Sequence, residues 1–99
     1  MPEKFVYADN AATTRVSQLV LDAMLPYFGE EYGNPSSLHS KGREASAALG
    51  DARARIAKLL GAKESEIYFT ASGSEADNWA VKGAAYANRD RGKHIVSTK

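Results

Sequence analysis

The sequence predicts an α/β fold built on one βαβ unit of a mainly parallel sheet, and it predicts that unit as an incomplete portion of a larger domain. Three observations carry this. A β-prone run at 66–70 leads through the tight turn Ala71-Ser72-Gly73 into a helical pattern, and a second β-prone run follows at 94–97. Strand, helix, strand in that order implies parallel pairing with a right-handed crossover. A parallel sheet needs both faces covered, and two strands with three helices do not supply that cover.

The elements follow in order. Phe5-Val6-Tyr7 is a short β-prone run ended by the turn-forming pair Asp9-Asn10. Ala11-Ala12-Thr13-Thr14 is small, polar and without period, so residues 1–16 read as an amino-terminal arm. Ser17 is placed to cap a first helix carrying Val20, Leu21, Met24, Leu25 and Phe28 at helical spacing. Pro26 lies inside that pattern, where it should kink the helix or begin a new turn. Gly29 and then Gly33-Asn34-Pro35-Ser36-Ser37 form the clearest loop in the chain.

A second helix is expected from about Gly42 to Leu60, with Ala45, Ala48, Leu49, Ala52, Ile56, Leu59 and Leu60 on one apolar stripe. Gly61 follows as its C-terminal glycine. The strand 66–70 centres on Ile67, Tyr68 and Phe69. The third helix begins at the turn after it, includes Ala76, Trp79, Ala80, Gly83, Ala84 and Ala87, and is expected to close at Gly92. His94-Ile95-Val96-Ser97 is the second strand. Residues 17–99 thus read as the start of one α/β domain.

Composition narrows the function classes. The chain has 99 residues and a formal net charge of +1, so no broad basic field points to nucleic acid. There is no cysteine, which excludes a disulfide, a thiolate metal site or a cysteine nucleophile within this sequence. Neither a signal-peptide pattern nor a membrane-length apolar run is present, and a soluble, cytoplasmic protein is expected.

The chemistry-bearing segment is Thr70 to Asn78. Ser72 and Glu75 have the S-x-x-E spacing of a capping box, in which each side chain accepts the other's backbone N–H. With Ser72 as N-cap, Gly73 and Ser74 are the first helical residues, and their N–H groups lack intrahelical partners. Those donors face outward at the positive end of the helix dipole, Gly73 has no side chain in the way, and Ser74 adds a hydroxyl. A phosphate is held in this manner at a strand-to-helix turn. A helix that is merely well capped reads the same way from these residues alone. A dinucleotide site would need G-x-G-x-x-G, and a P-loop would need Gly-Lys-Ser or Gly-Lys-Thr; neither occurs.

Three strings resemble the cysteine desulfurases of the NifS and IscS kind, in the class V aminotransferase group of fold-type I pyridoxal 5'-phosphate (PLP) enzymes. They are Tyr7-Ala8-Asp9-Asn10-Ala11-Ala12-Thr13-Thr14, Tyr32-Gly33-Asn34-Pro35-Ser36-Ser37-Leu38-His39, and Glu66-Ile67-Tyr68-Phe69-Thr70 running into Ser74-Glu75-Ala76-Asp77-Asn78. They stand in the family's order and spacing. The resemblance implies that the chain is the amino-terminal fragment of such an enzyme and an incomplete portion of its large domain.

It further implies PLP as cofactor, with Gly73 and Ser74 contacting the phosphate. The family often has alanine and threonine at those two positions, and glycine and serine retain both backbone donors and the hydroxyl. Ser72 stands where many members have glycine, so its capping role comes from spacing alone. The loop around Asn34 resembles the one near the active-site mouth and dimer interface, although for Asn34 itself the first account is a turn that needs asparagine for backbone reasons. His39 and His94 match no catalytic histidine of the family, and Trp79 and Tyr86 read as packing residues.

The resemblance implies transfer of sulfur from L-cysteine to an enzyme cysteine as a persulfide, leaving L-alanine. The sulfur then passes to an acceptor such as an iron–sulfur scaffold protein, and the enzyme is a homodimer. The family's cofactor-binding lysine directly follows a histidine, and no lysine here does. No catalytic residue is therefore expected in this chain, which should be inactive alone. The residues leave two alternatives open: a small non-enzymatic phosphate- or partner-binding module, and a sibling class V enzyme such as a selenocysteine lyase.

Overall fold

A computed structural model of the chain describes residues 2–99. It contains three α-helices, α1 (Gln18–Phe28), α2 (Ser40–Leu60) and α3 (Gly73–Ala87), with a short 3-10 turn at Glu64–Glu66. The chain divides into two compact units, one ending at Arg55 and the other spanning Ile56–Lys99.

In the first unit, the arm turns where Asp9-Asn10 demands it: the Asp9 carbonyl accepts from Ala12 N–H at 3.1 Å. Ser17 caps α1 as expected, its hydroxyl accepting from Val20 N–H at 3.4 Å. Pro26 does not end the helix, which runs on to Phe28. Its carbonyl instead receives both Gly29 and Glu31 N–H groups, so the chain leaves the helix around Pro26 rather than before it.

The start of α2 is earlier than expected, at Ser40, and its N-cap is an unexpected residue. The His39 carbonyl accepts the first helical bond from Arg43 N–H, and His39 Nδ1 accepts from Gly42 N–H at 3.3 Å. An imidazole thus does the work usually given to serine or aspartate.

In the second unit, α2 stops as its glycine predicts. Gly61 has φ +66°, the left-handed conformation that a side chain resists. Gly61 N–H bonds the Lys58 carbonyl at 3.3 Å, and Ala62 N–H bonds that of Ala57 at 2.9 Å, the paired pattern of a Schellman motif. Glu66 ends the 3-10 turn instead of beginning a strand, and its carboxylate accepts Lys63 N–H at 2.7 Å. Helix α3 ends at Ala87, five residues before Gly92, because Asn88 closes it: Asn88 Nδ2 donates to the Ala84 carbonyl at 2.8 Å.

The expected βαβ unit is not formed. Among the described residues no strand is assigned, either at 66–70 or at 94–97. The backbone at Ile67 is extended (φ −101°, ψ 122°), so the local preference is present and the ladder is not. The physical reason is that extension is local whereas a parallel ladder is not. It needs slanted bonds to a neighbour, and two parallel strands alone are marginal in water.

The same shortage of neighbours shows in burial. Ala57, 2% exposed, is the buried apolar residue among the described ones, and it lies outside the predicted stripe. Of that stripe, Leu59 is 86% exposed and Leu60 70%. An amphipathic face is legible in sequence, but burial depends on what is laid against it.

Candidate functional site

The start of α3 is built from residues 70–75. Ser72 is extended (φ −159°, ψ 163°) and its hydroxyl accepts Glu75 N–H at 3.2 Å, the expected half of the capping box. The reciprocal half differs. Glu75 Oε2 accepts from Ala71 N–H at 2.8 Å, one residue further back than Ser72. The turn is closed by a wider loop than the spacing suggested, and the Ser72 N–H is left out of it. Thr70 Oγ1 adds a bond to the Ser72 carbonyl at 3.0 Å.

This arrangement decides which donors remain. Glu75 and Ala71 N–H are satisfied by side chains, and the first helical bond is Ala76 N–H to the Ser72 carbonyl. Gly73 and Ser74 N–H have no partner among the described residues. Gly73 and Ser74 are exposed, and a Cβ built on Gly73 would meet nothing within 4 Å. Two adjacent N–H groups at the positive end of a fifteen-residue helix, with a hydroxyl beside them, are chemically suited to an anion with several oxygens. Glu75 adds a nearby negative charge, but its carboxylate is bonded back into the turn.

Behind the turn, Tyr68 and Trp79 pack ring against ring, with centroids 5.1 Å apart and planes inclined by 55°. Trp79 therefore serves packing within this unit. A groove of about 630 Å³ is elsewhere: it lies along the later turns of α3, lined by Ala80, Ala84, Tyr86, His94 and Ile95 among others. It is apolar and has none of the donors found at Gly73 and Ser74.

Asn34 belongs to the first unit. Its Oδ1 accepts from Ser36 N–H at 2.9 Å and its carbonyl from Ser37 N–H at 2.9 Å. The turn thus employs both oxygens of Asn34, which is the backbone role that asparagine favours. The side-chain amide NH₂ is the part that the turn does not use. Sequence reasoning missed the residues that hold this loop: Lys41 donates to the Glu30 carbonyl at 2.8 Å, and Arg43 to that of Leu38 at 2.7 Å. A signal was available, since two cations in the first turn of a helix oppose its dipole.

Among the described residues, no group of histidine, cysteine, aspartate and glutamate is suited to holding a metal ion. No helix among them is long and apolar enough to cross a membrane.

The family model described as aminotransferase class-V matches residues 6–99. The chain is 55% identical over 95 residues to the cysteine desulfurase IscS of Methanosarcina thermophila, covering 96% of this chain and 24% of that protein. It is 53% identical over 96 residues to the cysteine desulfurase IscS of Clostridium botulinum (strain Hall), covering 97% of this chain and 24% of the relative. A solved structure described as a NifS-like protein superposes with a TM-score of 0.75 at 44% identity, over 84% of this chain and 23% of that one. The chain therefore spans about a quarter of the length of the relatives it matches.

Proposed function

This chain belongs to the aminotransferase class-V family, and on that premise we propose that it is the amino-terminal part of a PLP-dependent cysteine desulfurase whose phosphate-holding residues are Gly73 and Ser74. The observation that carries the proposal is the pair of unpartnered N–H groups on two exposed residues at the start of α3. The desulfurase relatives, at 53–55% identity, supply the substrate class.

The residues present fit the cofactor's phosphate. Gly73 and Ser74 would donate their backbone N–H groups to its oxygens, and the Ser74 hydroxyl would add a third donor. The helix dipole favours the anion at this end. Ser72 and Glu75 fix the turn from behind, through Glu75 and Ala71 N–H, so that the free donors are already aligned before the ligand arrives. When bound, PLP supplies the electron sink for breaking the carbon–sulfur bond of L-cysteine. Nothing in this chain attaches it covalently in the family's manner, because no lysine follows a histidine.

The whole enzyme is proposed to carry sulfur as a persulfide on its own cysteine, release L-alanine, and act as a cytoplasmic homodimer that passes sulfur to a partner such as an iron–sulfur scaffold protein. Within it, residues 1–16 are the arm, 17–99 begin the large α/β domain, and the 66–70 and 94–97 segments become strands of its sheet. Asn34 borders the active-site mouth. The proposal is tested by assaying the full-length protein with L-cysteine and with L-selenocysteine. Alanine and sulfide from the first support it; turnover of selenocysteine alone assigns a sibling lyase; no turnover of either, with PLP bound, overturns it.

A further inference from the structure

The loop between α1 and α2 is tied to the first turn of α2 from both of its ends. At the near end, Lys41 Nζ donates to the Glu30 carbonyl at 2.8 Å, and the same ammonium stands 5.2 Å from the centre of the Tyr32 ring. At the far end, Arg43 Nη1 donates to the Leu38 carbonyl at 2.7 Å. Between them the loop lies on the helix so closely that a Cβ on Gly33 would collide with the Lys41 carbonyl, and one on Gly42 with that of Ser37. The Asn34 turn is held inside this frame.

The placement of the two cations is otherwise unfavourable. The first turn of α2 carries no acid, and Lys41 and Arg43 sit near the positive end of its dipole. Helix stability alone would select against both. Each instead reaches out of the helix to a loop carbonyl, so their contribution lies in the loop's conformation and not in the helix.

We propose that Lys41 is a positioning residue, acting with Arg43: it latches segment 30–38 onto the first turn of α2 and so fixes where Asn34 presents its side-chain amide. The consequence for an active site rests on the reading of the Asn34 loop given above, whereas the latch itself does not.

The test is residue-resolved amide hydrogen exchange on the full chain, comparing the unmodified protein with Lys41→Met and Lys41→Arg. Methionine retains the apolar stem and loses the charge; arginine can donate to the same carbonyl and lie over the same ring. In Lys41→Met the Ser36 and Ser37 amides are expected to exchange about tenfold faster, and in Lys41→Arg to return to within about twofold of the unmodified chain. The Ala62 amide, bonded at the far end of α2, stays unchanged in all three. Unprotected Ser36 and Ser37 amides in the unmodified chain overturn the proposal. So does a methionine variant that exchanges as slowly as the original, an arginine variant no better than methionine, or a loss that spreads to Ala62. Exchange is read without ligand, so failure of the latch and failure of the cofactor reading are separate results.

Discussion

Glu75 reaches back four residues to take the Ala71 N–H at 2.8 Å, while Ser72, lying between them, takes the Glu75 N–H at 3.2 Å. The two bonds interlock at the start of α3. Together they satisfy the Ala71 and Glu75 donors and leave the Ser72, Gly73 and Ser74 N–H groups between them without a partner among the described residues. A cap that leaves such a gap differs from one that closes every donor, and the proposed phosphate site is the Gly73 and Ser74 part of it.

The cap residue should be separable from the ligand donors. Ser72→Ala removes the acceptor for Glu75 N–H and is expected to weaken α3 by about 1 kcal/mol, whereas Ser72→Asp retains a capping oxygen. Exchange at the Glu75 amide reads the first effect. Ser72→Asp should also place a second carboxylate beside the anion site and weaken phosphate binding while leaving α3 helical by circular dichroism.

Gly61→Ala tests the end of α2. The left-handed φ of +66° at Gly61 meets no steric obstacle from neighbours, so the cost is conformational alone. Loss of about 1 kcal/mol is expected, seen as faster exchange at Ala62. An unchanged Ala62 amide would mean that the Schellman bonds do not hold this turn.

Burial gives a third contrast. Leu59→Ala removes a side chain that is 86% exposed and should alter stability by no more than about 0.5 kcal/mol. Ala57→Leu inserts three carbons at a site that is 2% exposed and should cost about 1–3 kcal/mol. Denaturant titration followed by helical ellipticity compares the two. The exposed Leu38, Leu59, Leu60 and Val96 side chains also predict strong binding of an apolar fluorescent dye by the unmodified chain. Weak dye binding would show that these side chains are covered in solution.

The sequence was most informative where structure is decided locally. Ser17, Gly61 and Ser72 announce caps through chemistry that acts within a few residues, and all three cap where expected. The helical stripes of α1, α2 and α3 were legible for the same reason. Three things were not. His39 as an N-cap is invisible to a rule that looks for serine, threonine, aspartate or asparagine. Asn88 ends α3 before Gly92 because a side-chain amide reached the Ala84 carbonyl first. Propensity predicts the strands at 66–70 and 94–97, and it favours an extended backbone without supplying a ladder partner. At the proposed site, spacing and resemblance point to Gly73 and Ser74. The latch of Lys41 and Arg43 required coordinates, since its bonds reach back to a loop across as many as eleven positions.

The most direct test of the central claim is a titration of the isotopically labelled chain with pyridoxamine 5'-phosphate, and in parallel with pyridoxamine, followed by amide resonances. The phosphate ester should move the Gly73 and Ser74 amides in a saturable manner, and pyridoxamine should leave them in place. Gly73 and Ser74 amides that are unmoved by the phosphate ester, or moved equally by the phosphate-free amine, would contradict the account.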